Sequence, residues 1–281
     1  MALLEMNFMS KYLSGNTEVS VILPNLPIGE EPEDFYQGGK KYPVLWLLHG
    51  TFGDHTDWVR NTAIESYACE KNLVVVMPRA MNSDYSNWPG AMMGYNMYDF
   101  VTKELMPMVY AWLPVSRKRE DNYIAGLSMG GRGTIKFAVN FPELFAGAAV
   151  LSAAPVDFSK LGHGTKKPFL DLDEPRLAAA VANAGGVEAY TASQENVWAI
   201  LEGYVKRGET DQLPKLFFAI GEDDFLYGNF RTFREHFEPA LKEAGVSAEW
   251  VTAPGYKHEW PFWDLAVKKA LDWFWKQREE G

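Results

Sequence analysis

The chain has 281 residues, 47% of them hydrophobic and 14% aromatic, with a formal charge of −10. That length admits one large domain with a sizeable core or two small ones. The 27 lysines and arginines form no dense run, which argues against a nucleic-acid partner, and no stretch of about 18 apolar residues is present to cross a membrane.

Residues 1–16 carry Glu5 where a secretory leader would be basic and are interrupted by Asn7, so they are expected to belong to the fold. The single cysteine, Cys69, excludes an internal disulfide framework and fits a cytoplasmic setting. In chain order, apolar runs at 19–24, 43–50, 73–78, 122–127, 147–152, 215–221 and 247–255 read as strands. Most are short, continuously hydrophobic and closed by Gly or Pro, which suits strands buried on both faces of a parallel sheet. Helical spacing runs through 57–71, 97–113, 129–141, 230–244 and 260–276. The alternation predicts an α/β fold with a mostly parallel sheet and right-handed crossovers. Between 156 and 213 the strand rhythm stops. Two or three helices with flexible joints fit that segment, which is expected to form a small cap on a single domain spanning 1–281.

Gly126-Leu127-Ser128-Met129-Gly130 matches the pattern G-x-S-x-G of a nucleophile elbow, and the predicted strand before it and helix after it supply the required context. A serine hydroxyl is a weak nucleophile and needs a base within reach, with a third group holding the base. In such a fold the acid and then the histidine follow the serine on loops after later strands. His258 lies on the loop after the last strand, whereas His236 sits beside Phe237 on a helix's packed face. The acid comes from Glu222, Asp223 or Asp224 after the strand ending at Gly221. Spacing alone does not separate these neighbours; the usual arrangement, with the carboxylate a few residues beyond the strand's glycine, favours Asp224, with Asp223 second. Two backbone donors are expected for an oxyanion: the N–H of Met129, directly after the serine, and that of Thr51, in the loop after the strand Val44 to Leu48. Asp54, His55 and Asp57 read as helix capping in place of a metal site, the 171–174 stretch lacks the pattern of a calcium loop, and no phosphate-binding glycine loop is present. Neither cofactor nor metal is expected.

Taken together, the stretches "NFMSKYL", "VILP", "YPVLWLLHGTFGDHTDW", "GYNMYDFVTKELMP", "IAGLSMGGRGTIKFAVNFPELFAGAAVLSAAPVD", "LPKLFFAIGEDDFLY" and "HEWPFWD" resemble the esterase D and tributyrin esterase group of α/β-hydrolases, which includes feruloyl and acetylxylan esterases. The resemblance spans nearly the whole chain and leaves 156–213 as its variable part. It implies an α/β-hydrolase fold with a small helical cap insertion, Ser128 as nucleophile, Asp224 as acid, His258 as base, and Thr51 with Met129 as oxyanion donors. The glutathione-thioester branch of the group often carries a cysteine in the oxyanion loop. This chain has Thr51-Phe52-Gly53 there and Cys69 on a helix, which weighs against S-formylglutathione hydrolysis.

Aromatic residues cluster beside these loops. Trp88 lies in the 82–95 loop, Phe225 follows the acid, Trp260 follows the base, and Trp198 falls in the expected cap; all four are candidates for substrate contact. The sequence predicts a cofactor-free serine carboxylester hydrolase acting on a small-molecule ester or an acylated oligosaccharide through an acyl-enzyme. Its acyl group would be short-chain, or acetyl or feruloyl linked to a sugar. Acyl transfer to a sugar or lipid hydroxyl and a non-catalytic glycan-binding module are the rival readings. A homo-oligomer is compatible with the sequence.

Overall fold

The computed structural model describes residues 2–91 and 93–279. Its strands are β1 (Ala2–Ser10), β2 (Gly15–Leu23), β3 (Val44–Leu48), β4 (Val74–Pro78), the two-residue β5 (Asn87–Trp88) and β6 (Tyr95–Asn96), β7 (Asn122–Leu127), β8 (Gly147–Leu151), β9 (Lys215–Gly221) and β10 (Ala248–Ala253). Among the described residues, eight of them form one sheet in the order β1-β2-β4-β3-β7-β8-β9-β10. The β1/β2 and β2/β4 pairs are antiparallel and all the others parallel.

Successive side chains of a strand leave on opposite faces, and here both faces are covered. From β3, Val44, Trp46 and Leu48 enter one core and Leu45 and Leu47 the other. β8 divides in the same way, with Ala148 and Val150 on one side and Ala149 and Leu151 on the other. The helices are α1 (Pro32–Gln37), α2 (Asp57–Asn61), α3 (Ile64–Glu70), α4 (Met97–Asp99), α5 (Met106–Trp112), α6 (Met129–Asn140), α7 (Pro175–Asn183), α8 (Val187–Thr191), α9 (Val197–Arg207), α10 (Tyr227–Glu243) and α11 (Trp260–Glu279). Residues of α5, α6, α9 and α10 fill the first core, and those of α2, α3 and α11 the second. Strand order and two-sided helical cover make this an α/β-hydrolase fold.

Three segments depart from the expected elements. The 57–71 helix is two helices, because the Thr62 hydroxyl donates to Trp58 O at 2.5 Å and accepts from Ile64 N at 3.2 Å, offering the backbone an alternative to helical bonds. The 97–113 helix contains a π-helical stretch, Phe100–Leu105, just before Pro107, which has no N–H to donate. In the 156–213 segment, α7 starts at Pro175, with Glu174 accepting from the N–H groups of Arg176 and Leu177, and α9 ends on Gly208 in the left-handed region. The α7 and α8 side chains Leu177, Val181 and Tyr190 make a small cluster of their own. α9 differs: Val197, Trp198, Leu201 and Tyr204 belong to the main core. The portion packed apart from the body is therefore shorter than the expected 156–213 insertion.

Candidate active site

The turn from β7 into α6 places Ser128 at φ 52°, ψ −116°, a region that a side chain other than glycine's rarely occupies. The turn is tight because two glycines let strand and helix meet. A Cβ on Gly126 would lie 2.5 Å from the backbone of Gly130, and one on Gly130 would lie 2.4 Å from Leu48 O at the end of β3. Ser128 N–H is tied to Leu151 O of β8 at 2.8 Å. The hydroxyl thus sits above the carboxyl edge of the sheet.

The loops after β9 and β10 bring two more groups to it. Ser128 Oγ donates to His258 Nε2 at 2.9 Å, and His258 Nδ1 donates to Asp224 Oδ2 at 2.8 Å. Asp224 is only 4% exposed, and its other oxygen accepts from Leu226 N at 2.9 Å. Glu222 and Asp223 point to solvent and make no such contact. The His258 ring is held between Phe225, 4.7 Å away centre to centre, and the edge of Trp263 at 5.0 Å. Trp263 is itself fixed by donating to Ser152 Oγ at 2.9 Å.

Neither the N–H of Thr51 nor that of Met129 has a hydrogen-bond acceptor among the described residues. Met129 N–H is one of the open donors of a helix N-terminus, where the helix dipole favours negative charge. Both residues line a cavity of about 990 Å³ together with Ser128 and His258. That volume is at the upper end of the range for small-molecule sites.

Of the four aromatic candidates, Trp88, Phe225 and Trp260 line this cavity. Trp198 does not. It is 6% exposed, lies 5.0 Å from Phe237 and 5.9 Å from Phe233 of α10, and donates to Glu202 at 3.1 Å; contrary to expectation it is a core residue and lies outside the cavity lining. Met92, in the same aromatic loop as Trp88, lies outside the described residues. Asp54 accepts from Thr56 N and Thr56 Oγ1 at 2.8 and 2.6 Å, and Asp171 accepts from three backbone N–H groups, so both carboxylates hold turns. No cluster of three His, Cys, Asp or Glu fit for a metal occurs among the described residues.

Sequence reasoning missed the groups that hold the site from outside. His49 is 1% exposed, and burial drives its pKa down to about 4. Ala80 N–H donates to its Nε2 at 2.8 Å, and its Nδ1 faces Gly50 O at 2.7 Å, so the ring is neutral with its proton on Nδ1. Asn82 Oδ1 accepts from Phe52 N at 2.8 Å. Asp84 pairs with Arg132, one turn beyond Ser128 on α6, and Lys136 pairs with Glu195 at 2.6 Å while donating to Asp84 O and Ser86 Oγ. The 80–86 loop is therefore a strut between the 50–53 loop and α6. Apart from the contact of His49 with its neighbour Gly50, these bonds join segments distant in the chain, and no local pattern announces them.

An α/β-hydrolase fold with a serine on its elbow and a histidine and carboxylate hydrogen-bonded behind it defines a serine hydrolase. Comparison with known proteins names the family. The chain belongs to the esterase family described as "Putative esterase", whose sequence profile matches residues 10–216, and it is a carboxylic ester hydrolase of the serine type. It is 28% identical over 284 residues to an acetyl esterase of Caldicellulosiruptor saccharolyticus, an alignment covering 98% of this chain and 99% of that one. The crystal structure of an S-formylglutathione hydrolase from Staphylococcus aureus matches it with a TM-score of 0.76 at 32% identity, over 97% of this chain and 98% of the other. A ferulic acid esterase shares the fold, with a TM-score of 0.71 at 22% identity over 97% and 96% of the two chains. No helix among the described residues is long and apolar enough to cross a membrane.

Proposed function

We propose that Ser128 is the nucleophile, His258 the general base and then acid, and Asp224 the carboxylate that orients His258 and stabilises its cation. The reading rests on one observation: the continuous hydrogen-bond path Ser128–His258–Asp224, at 2.9 and 2.8 Å, opens onto a cavity lined by Thr51 and Met129, whose N–H groups are unpaired. Ser128 Oγ attacks the ester carbonyl carbon as its proton passes to His258 Nε2. The carbonyl oxygen becomes an oxyanion held by the N–H groups of Thr51 and Met129. When the C–O bond to the alcohol breaks, the His258 proton goes to the departing oxygen. Water, deprotonated by the same nitrogen, then attacks the acyl-enzyme and releases the acid and free Ser128.

The substrates are short-chain acyl esters, acetyl first, or feruloyl esters of a sugar. The kinship with an acetyl esterase supports the former, and the aromatic lining by Trp88, Phe158, Phe169, Phe225 and Trp260 supports an aryl group in either half of the ester. The segment of α7, α8 and the loop before them acts as a partial cap. Phe169 lies 4.0 Å under the Arg132 guanidinium of the body, Arg176 of α7 lies 5.2 Å over Phe52 of the oxyanion loop, and Asn183 donates to Asn87 O at 2.7 Å. The likeness to an S-formylglutathione hydrolase makes that thioester the second substrate to assay.

Ser128→Ala should lower turnover of p-nitrophenyl acetate by on the order of a millionfold and abolish labelling by a fluorophosphonate probe. Retention of a few per cent of the activity would remove Ser128 from the mechanism. Acetyl, butyryl and feruloyl esters and S-formylglutathione, compared by kcat/KM, rank the substrate classes.

A further inference from the structure

The Thr51 donor sits on an exposed-looking loop, yet two side chains from outside the 50–53 stretch fix the peptide planes on either side of it. The carbonyl of the Gly50–Thr51 peptide accepts from His49 Nδ1 at 2.7 Å and from Gly53 N at 3.3 Å. A trans peptide points its C=O and its N–H in opposite directions, so anchoring the Gly50 oxygen turns the Thr51 N–H away from the protein interior. The Cβ position of Gly50 is 3.5 Å from Ser128 Cβ, which places this peptide beside the nucleophile. The next N–H, that of Phe52, is engaged by Asn82 Oδ1 at 2.8 Å and is not available to a substrate oxygen.

The imidazole has no freedom to do otherwise. Its Nε2 accepts from Ala80 N–H at 2.8 Å, the Tyr85 hydroxyl donates to the His49 carbonyl at 3.1 Å, and both contacts are buried. The only ring proton is thus on Nδ1, facing Gly50 O. Asn82 belongs to the same 80–86 loop, so one strut supports the donor from two sides. We propose that His49 and Asn82 are positioning residues that aim the Thr51 N–H at the oxygen of the tetrahedral intermediate. This builds on the acyl-enzyme reading of Ser128.

Isosteric variants separate positioning from packing. In His49→Asn the side-chain amide nitrogen stands where Nδ1 stood and keeps the donor to Gly50 O. In His49→Gln the amide reaches where Nε2 stood, keeps the acceptor for Ala80 and loses that donor. With p-nitrophenyl acetate, His49→Gln should lose about thirtyfold or more in kcat with KM within about twofold, while His49→Asn stays within about threefold of the parent, as expected for loss or retention of one oxyanion donor. The inhibition constant of phenylboronic acid, which forms a charged tetrahedral adduct, should weaken in step with kcat. Asn82 is exposed, so Asn82→Ala should fold; its kcat should fall about tenfold with the same weakening of boronate binding, and this variant decides the matter if His49→Gln does not fold. Equal losses in His49→Asn and His49→Gln, or boronate affinity unchanged in Asn82→Ala, would overturn the proposal. Activity surviving in Ser128→Ala would instead bring down the reading beneath it.

Discussion

At the scale of the residue, the site depends on contacts that forbid a single carbon. Alanine is a better helix former than glycine by roughly 1 kcal/mol, so on propensity alone Gly130→Ala would strengthen α6. The added Cβ, however, would lie 2.4 Å from Leu48 O and 2.6 Å from His49 O. Both are backbone atoms at the end of β3, unable to swing aside. Overpacking of this kind costs about 1–3 kcal/mol, which outweighs the propensity gain. Gly130→Ala should therefore lower the thermal unfolding midpoint and, by displacing the strand end that carries Thr51, reduce kcat by at least about tenfold. An unfolding midpoint above the parent's would mean that strand and helix are not in contact there.

At the scale of the element, Phe169, in the loop before α7, tests whether this loop and the α7–α8 segment govern access. Its ring under Arg132 is a cation–π contact, worth about 0.5–2 kcal/mol, and it also forms part of the cavity wall. Phe169→Ala should raise KM for aryl esters several-fold and leave kcat for acetyl transfer to water nearly unchanged, with some loss of thermal stability because the half-buried ring packs against the edge of the main core. Identical KM values in steady-state kinetics would show that the segment plays no part in binding. The elements themselves were unequally legible in the sequence. Strands such as Val44–Leu48 and Val74–Pro78 read clearly because burial on both faces demands an unbroken apolar run. β1 passed unnoticed as a strand because it is an edge whose exposed and half-buried residues alternate through Glu5 and Asn7. Its place is fixed by pairing with β2 and by Glu104, which accepts from Ser10 Oγ, Lys11 N and Tyr12 N at the turn. Trp198 is legible only as part of the expected cap, because it lies in a segment without strands, whereas α9 packs it against α10. The elbow around Ser128 was readable because its chemistry dictates local spacing. The bonds that hold His49 to Ala80 and Phe52 to Asn82 span 31 and 30 residues of chain, and no spacing rule marks them.

At the scale of the whole molecule, the strut that braces the 50–53 loop makes folding sensitive to acid. His49 is buried and neutral, with its pKa lowered to about 4, first by desolvation; the carboxylate of Asp54 and the hydrogen bond to Gly50 pull the other way without prevailing. In the unfolded chain a histidine titrates near pH 6.5. Between about pH 6.5 and 4 the unfolded state therefore binds a proton that the folded state refuses, and stability falls as the pH drops through that window, by up to about 3 kcal/mol from this one group. Above pH 6.5 neither state is protonated at His49, and its contribution no longer changes with pH. Urea unfolding at pH 7.5 and pH 5 should show the loss. His49→Asn removes the titrating group while keeping the donor to Gly50, so its unfolding free energy should depend less on pH over the same interval. An equally steep dependence in the variant would assign the acid sensitivity to other groups and show that the folded protein does accept a proton at His49.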